Sequence, residues 1–268
     1  MQLESLRFSA SRARSVVHKE APISQIFLRG RAVALRLFEA ARRAKRLGRS
    51  TLPKPAFASL LIFIVGGPVT FQSITGALQL SWSGYDPVRD AVSVLVFGPY
   101  GWLQTAAFLV LGCSVIALAV VLLFHMRFRF KLNIVALLLL GAAFIVVGAN
   151  PTGLPGVEDT VAAVIHRGAA GVTVVAFPVA CFLLVPALKA RHHTLLRWIT
   201  LGFGIFAVLF LSIVGVLLLA GLSVFGLYER VLLASGQLWV ELICAQLIVD
   251  RLRERKRADV ATISVSNP

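Results

Sequence analysis

The sequence predicts an all-α polytopic membrane protein, an antiparallel bundle of six transmembrane helices with both termini on the cytoplasmic side. Three observations carry that expectation. Hydrophobic residues make up 58% of the 268-residue chain and charged residues only 15%, where soluble domains carry about a quarter charged. Six apolar stretches, at about 56–80, 100–124, 132–150, 164–188, 198–220 and 230–250, are each long enough to cross a hydrocarbon core of about 30 Å at about 1.5 Å per residue. The basic residues, finally, alternate from one connection to the next.

That alternation sets the orientation. Thirteen of the 27 Lys and Arg lie between Arg7 and Lys54, and the segments after the second, fourth and sixth stretches hold Arg127, Arg129, Lys131, Lys189, Arg191, Arg197, Arg251, Arg253, Arg255, Lys256 and Arg257. The segments after the first, third and fifth stretches hold Asp86, Asp90, Glu158, Asp159 and Glu229, and near them lie Arg89, Arg167 and Arg230. Under the positive-inside rule the basic segments face the cytoplasm and the acidic ones face out. The net charge of +15 is thus a topology signal, with membrane lipid and not nucleic acid as the expected partner. A multi-pass protein of the cell (inner) membrane is the expected setting.

Residues 1–55 form a basic cytoplasmic arm that no apolar run crosses. Between Ile23 and Leu47 it mixes Ile26, Phe27, Val33, Leu37 and Phe38 with arginines and Lys45. Two readings stay open there: a disordered arm, or a basic amphipathic helix lying on anionic lipid headgroups. Residues 251–268 are a second basic cytoplasmic segment, its polar end from Ala258 onward expected to be disordered. Cys113, Cys181 and Cys244 all fall inside apolar stretches, which argues against a disulfide framework or a thiolate zinc site.

Taken in order, helix one is the least lipid-like. Gly66, Gly67 and Pro68 mark a kink near its middle, and Pro68, Gln72, Thr75 and Gln79 follow at spacings of four, three and four. Those spacings place them on one face, which should turn into the bundle because an amide in hydrocarbon needs a partner. Helix four opens with His166 and Arg167 and carries Pro178. Helix six carries Glu241 eleven residues beyond Arg230, with Gln237 and Ala245 on its face, roughly 16 Å along the helix and near mid-membrane. A carboxyl there is costly by about 2.5–3.5 kcal/mol on insertion scales. Glu241 is expected to be neutral and bonded to Gln72, Thr75 or a carbonyl, or else to act in coupling or substrate contact.

The loop after helix one collects most of the remaining chemistry. It reads Tyr85-Asp-Pro-Val-Arg-Asp-Ala-Val-Ser93, then Gly98-Pro-Tyr-Gly-Trp102. Pro87 suits a first helical turn with Asp86 as N-cap, so a short interfacial helix presenting Asp86, Arg89, Asp90 and Ser93 is expected. The turn-rich segment from Asn150 to Thr160 ends on Glu158 and Asp159 above His166, and the last outer connection adds Tyr228, Glu229 and Arg230.

The Tyr85–Ser93 and Gly98–Trp102 segments, His166 opening helix four, and Gly226-Leu-Tyr-Glu-Arg230 with Leu238-Trp239 together resemble the DUF998 membrane proteins. That resemblance covers about residues 56–250 and implies a six-helix prokaryotic membrane protein, with no activity or catalytic residue attached.

Three functions stay open on the residues alone. Tyr85, Asp86, Arg89, Asp90, Ser93, Asp159, His166, Arg167, Glu229 and Arg230 can line an outward polar pocket that binds or transports a lipid or small solute, Arg suiting phosphate. The same charges can instead only pair and tie loops together in a membrane scaffold or envelope-stress component. A Ser93–His166 dyad oriented by Asp90 or Asp159 would make an intramembrane hydrolase. No cofactor is expected: His166 is the sole outer histidine, too few for a zinc site or a bis-histidine haem. Six helices with no internal repeat are few for a transporter monomer, which points to a possible homodimer.

Overall fold

The computed structural model describes residues 54–125, 132–153, 158, 160–222 and 224–266. The arm at 1–53 therefore lies outside the described residues, as does Asp159. Six long helices follow one another: α1 (Lys54–Ser81), α2 (Trp102–His125), α3 (Leu132–Ala149), α4 (Val161–Ala190), α5 (Thr194–Leu219) and α6 (Phe225–Ser266). A short 3₁₀ helix, Val92–Phe97, lies between α1 and α2. No strand occurs among the described residues. Each long helix holds a stretch long and apolar enough to cross a membrane, and the chain is a polytopic helical membrane protein.

Each helix packs on its neighbours in sequence, and α6 closes the ring against α1. The tightest crossing is between α2 and α3, where Gly112 meets Gly141. A Cβ on Gly112 would lie 2.6 Å from the Gly141 carbonyl oxygen, so only glycine lets the two backbones approach this closely. Phe71 of α1 meets Phe108 of α2 edge to face at 5.0 Å. Both belong to a core with Leu78, Tyr85, Val92, Leu95 and Val147, which seats the 82–101 loop against α1, α2 and α3.

α5 is the most thinly packed span. Its first half rests on α4, with Gly204 against Phe182 and Cys181, and on α6, through Trp239 Nε1 donating to Thr200 Oγ1 at 3.3 Å. Farther along, Phe210 stacks on Tyr228 of α6 at 5.6 Å. The matching stretch of α4 is left uncovered: Val164, Gly168, Gly171 and Val175 are exposed, with open space beside both glycines.

Two expectations about local structure change. The last helix does not stop near residue 250 but runs on to Ser266, because Leu252-Arg-Glu-Arg-Lys-Arg-Ala258 is made almost wholly of strong helix formers. His193 Nε2 pairs with Asp250 Oδ2 at 3.1 Å and pins this stretch to the start of α5. The helix expected to start at Asp86 is only one turn, and the 3₁₀ helix begins later, at Val92. The reason lies in where the backbone groups are spent, described next.

Candidate functional site

Asp86 does cap its turn: its Oδ1 accepts from Val88 N–H at 2.9 Å and its carbonyl from Arg89 and Asp90 N–H at 3.2 and 2.7 Å. Asp90 closes the turn from the other side, its Oδ2 accepting the Asp86 N–H at 2.8 Å. From there on the backbone is claimed by α6. The Glu229 carboxylate accepts the Val92 N–H at 2.6 Å, and Leu227 N–H donates to the Val88 carbonyl at 3.0 Å. Groups held this way cannot join an i→i−4 ladder, so the α-helical turn ends.

Arg230 stands at the centre. Its Nη1 donates to the carbonyls of Pro87 at 2.7 Å, Gly226 at 2.8 Å and Asp90 at 3.1 Å. Its Nε donates to Gln79 Oε1 of α1 at 3.2 Å, and its Nη2 donates to the Tyr85 hydroxyl. Tyr85 passes its own proton toward the carbonyls of Asp90 and Ala91, at 3.2 and 3.0 Å. Its ring lies under the guanidinium at 5.3 Å and stacks on Trp82 at 5.8 Å. Burial pushes the Tyr85 phenol up to about 12, with Arg230 pulling the other way, so it is a lasting donor here. Gly226 is what lets α6 come so near, since a Cβ there would collide with the Asp90 carbonyl.

Of the expected pocket residues, Tyr85, Asp86, Arg89, Asp90, Glu229 and Arg230 come together, and their polar atoms are spent largely on one another and on backbone. Arg230 bonds carbonyls and a phenol and no carboxylate. The one arginine–carboxylate contact of the group, Arg89 with Asp86 at 3.6 Å, is exposed and contributes little.

His166 belongs to another joint. Its Nδ1 lies 2.8 Å from the Asn150 carbonyl and 3.1 Å from that of Val147, which makes it an N–H donor that closes the end of α3. Ser93 is buried in the 3₁₀ helix, and no hydrogen bond joins it to His166 among the described residues. Arg167 is exposed on α4.

Deeper in the bundle, the polar face of α1 divides between two neighbours. Thr75 Oγ1 donates to Gln104 Oε1 of α2 at 3.2 Å, and Gln72 Nε2 donates to Gln237 Oε1 of α6 at 2.7 Å. Gln104 is not among the residues the sequence pattern singles out; a single amide inside an otherwise apolar α2 is the signal that marks it. Glu241, one turn beyond Gln237, takes neither Gln72 nor Thr75: it is half-buried and makes no hydrogen bond or ion pair among the described residues.

Beside Gln237 lies a partly open cavity of about 40 Å³, room for roughly three water-sized centres. It is enclosed by α2, α3, α4 and α6, with Leu111, Phe144, Phe177 and Leu233 among its apolar walls and Thr173 and Gln237 as its polar groups. Gln237 is only 6% exposed, and its Nε2 has no partner among the described residues.

No curated protein and no solved structure matches the chain. A family profile described as a protein of unknown function, DUF998, matches residues 64–246, more than half of the sequence, and the protein belongs to the DUF998 family.

Proposed function

We propose that this DUF998 protein receives the apolar end of a membrane lipid chain or small amphiphilic solute within its bundle. The cluster around Arg230 then serves as the brace that fixes the bundle's mouth. In this reading the 82–101 loop faces the outside of the cell membrane and both termini lie in the cytoplasm, as the distribution of basic residues favours. The observation that carries it is the cavity: apolar on nearly all sides, partly open, and lined by a buried amide donor with nothing to donate to. Small-molecule sites are likewise mostly apolar with few placed polar groups, but they run to about 300–1,000 Å³, so a cavity of about 40 Å³ takes the end of an acyl chain while the rest stays in the membrane. The uncovered stretch of α4 around Gly168 and Gly171 offers an acyl chain a way in from the side.

A second reading, a scaffold that binds nothing, draws on a different observation: the Arg230 cluster consumes its polar groups internally.

Trp239 separates the two, because it is fully buried and lies edge to face with the cavity wall Phe177 at 5.9 Å. With Trp82, Trp102 and Trp198 changed to Phe, the protein is reconstituted with phosphatidylcholine brominated in its acyl chains. Binding predicts saturable quenching of Trp239 at low brominated fraction. Gly236→Leu should remove it, since position 236 lines the cavity and a Cβ there meets only Phe177, at 3.7 Å. Quenching proportional to brominated fraction, and equal in Gly236→Leu, would leave the scaffold reading.

A further inference from the structure

We infer that two copies of this chain associate side by side in the membrane across the seam between α1 and α6, with Glu241 of each copy facing Gln72 of the partner subunit. The inference uses a face other than the cavity and does not rest on the binding reading.

α1 and α6 run antiparallel, and their contacts step along the seam: Arg230 with Gln79, Gln237 with Gln72, Cys244 with the Leu61 carbonyl, Arg251 over Phe57. Glu241 therefore lies level with α1 between Leu61 and Gln72, where Val69 is 53% exposed. Gln72 itself is exposed, although it sits well inside the Pro55–Ser81 span. One of its amide protons goes to Gln237; its Oε1 has no partner among the described residues. So a half-buried carboxyl and an exposed amide share one flank of the seam, deep in the apolar span.

What can meet them there is limited. Acyl chains carry no hydrogen-bonding group, and lipid ester groups lie about 15 Å away at the edge of a core about 30 Å thick. A protein with polar groups at the same depth is required. A second copy, inserted the same way round, supplies them by symmetry: a two-fold axis along the membrane normal keeps every residue at its own depth and makes each contact twice. The chemistry is complementary, since a carboxyl oxygen accepts from the amide N–H that Gln72 does not give to Gln237. The flank also permits close approach, with Ser73 and Ala245 small and exposed and open space beside Gly76.

Two measurements test this. Ala245→Cys should give a disulfide-linked dimer when membranes are treated with copper phenanthroline. With Cys113, which is half-buried, changed to Ala in every chain, the parent, whose Cys181 and Cys244 are buried, and Leu139→Cys, exposed at mid-depth on α3, should not. In liposomes of increasing dilution, single-molecule photobleaching should show two-step bleaching for the parent. Association should weaken at least about tenfold in Glu241→Leu with Gln72→Leu, and stay within about threefold in Glu241→Gln, which keeps a donor and an acceptor. A parent that bleaches in one step throughout, equal cross-linking at 139 and 245, or a double leucine variant that associates as tightly as the parent would each overturn the inference.

Discussion

Replacing Arg230 by methionine removes the guanidinium while keeping an apolar stem of similar reach, and its cost follows from the acceptors it abandons. The Pro87 carbonyl is on an exposed residue and water replaces the lost donor. The Asp90 carbonyl keeps the Tyr85 hydroxyl, and the Gly226 carbonyl, four residues before position 230 in α6, keeps the helix's own backbone donor. Gln79 Oε1 and the Tyr85 oxygen, both half-buried or deeper, lose a charged donor with no substitute in reach. At about 1–3 kcal/mol for each of these two orphaned groups, the variant should be destabilised by about 2–6 kcal/mol. For a bundle of this size that is about 5–15 °C of Tm. With the half-buried Cys113 changed to Ala, the remaining thiols of Cys181 and Cys244 are buried, so a thiol-reactive fluorophore reports unfolding in detergent directly. Arg230→Lys should recover less than half of the loss, because one ammonium cannot reach Gln79, Pro87 and Tyr85 together. A methionine variant melting within about 1 °C of the parent, or a lysine variant matching it, would show that the brace is not the guanidinium's fork of bonds.

Neighbouring groups give sharper contrasts. Glu229→Gln keeps an oxygen for the Val92 N–H and should cost under about 1 kcal/mol, while Glu229→Leu strands that N–H and should cost about 1–3 kcal/mol, read as Tm in the same assay. Gly226→Val must push α6 from the Asp90 carbonyl and should cost about 1–3 kcal/mol, with faster proteolysis of the 82–101 loop as its mark. Tyr85 sets a pH dependence. Its phenol is raised from 10.0 to about 12 by burial, so the fold favours the neutral form. That contribution is complete below pH 10 and is lost as pH climbs through 12, by about 2–3 kcal/mol. Tyr85→Phe should be less stable than the parent at pH 8 yet lose less between pH 10 and 12; parallel Tm curves would refute the assignment.

The six spans were legible because hydrocarbon permits few solutions: a long apolar run must close its own backbone bonds, and only a helix does so within one segment. Their order followed from that alone, whereas α6 runs past its apolar stretch to Ser266, beyond what hydrocarbon thickness dictates. The site was legible by composition but not by partner. Tyr85, Asp90, Glu229 and Arg230 were picked out as charged or aromatic residues near one end, which suggested ion pairs. Arg230 instead takes backbone carbonyls and Glu229 a backbone N–H, and no periodicity encodes backbone groups of a loop as acceptors or donors. His166 illustrates the same limit. Its position below the Asn150–Thr160 segment suggested a pocket, whereas the helix end it closes is visible only once α3 and α4 lie side by side. On α1, a four-three-four spacing fixed a common face for Gln72, Thr75 and Gln79, but not that α2 and α6 would share it.

The polar groups of the two depths answer to different energetics, and that difference yields a prediction with a change of sign. Near the loop end, water competes for every donor, so the bonds of Arg230 add modest stability and mainly fix geometry. At mid-membrane nothing competes, and an unpaired carboxyl costs about 2.5–3.5 kcal/mol on insertion scales. If Glu241 finds its partner only in a second copy, its value depends on whether that copy is present. In dilute detergent, where chains are separated, Glu241→Leu should raise the Tm, because it removes a group that makes no bond among the described residues. In liposomes at high protein density the same substitution should lower resistance to unfolding, because it breaks two symmetric contacts. An acid serving only the fold of one chain predicts destabilisation in both settings. An acid exposed to a wet cleft predicts little change in either.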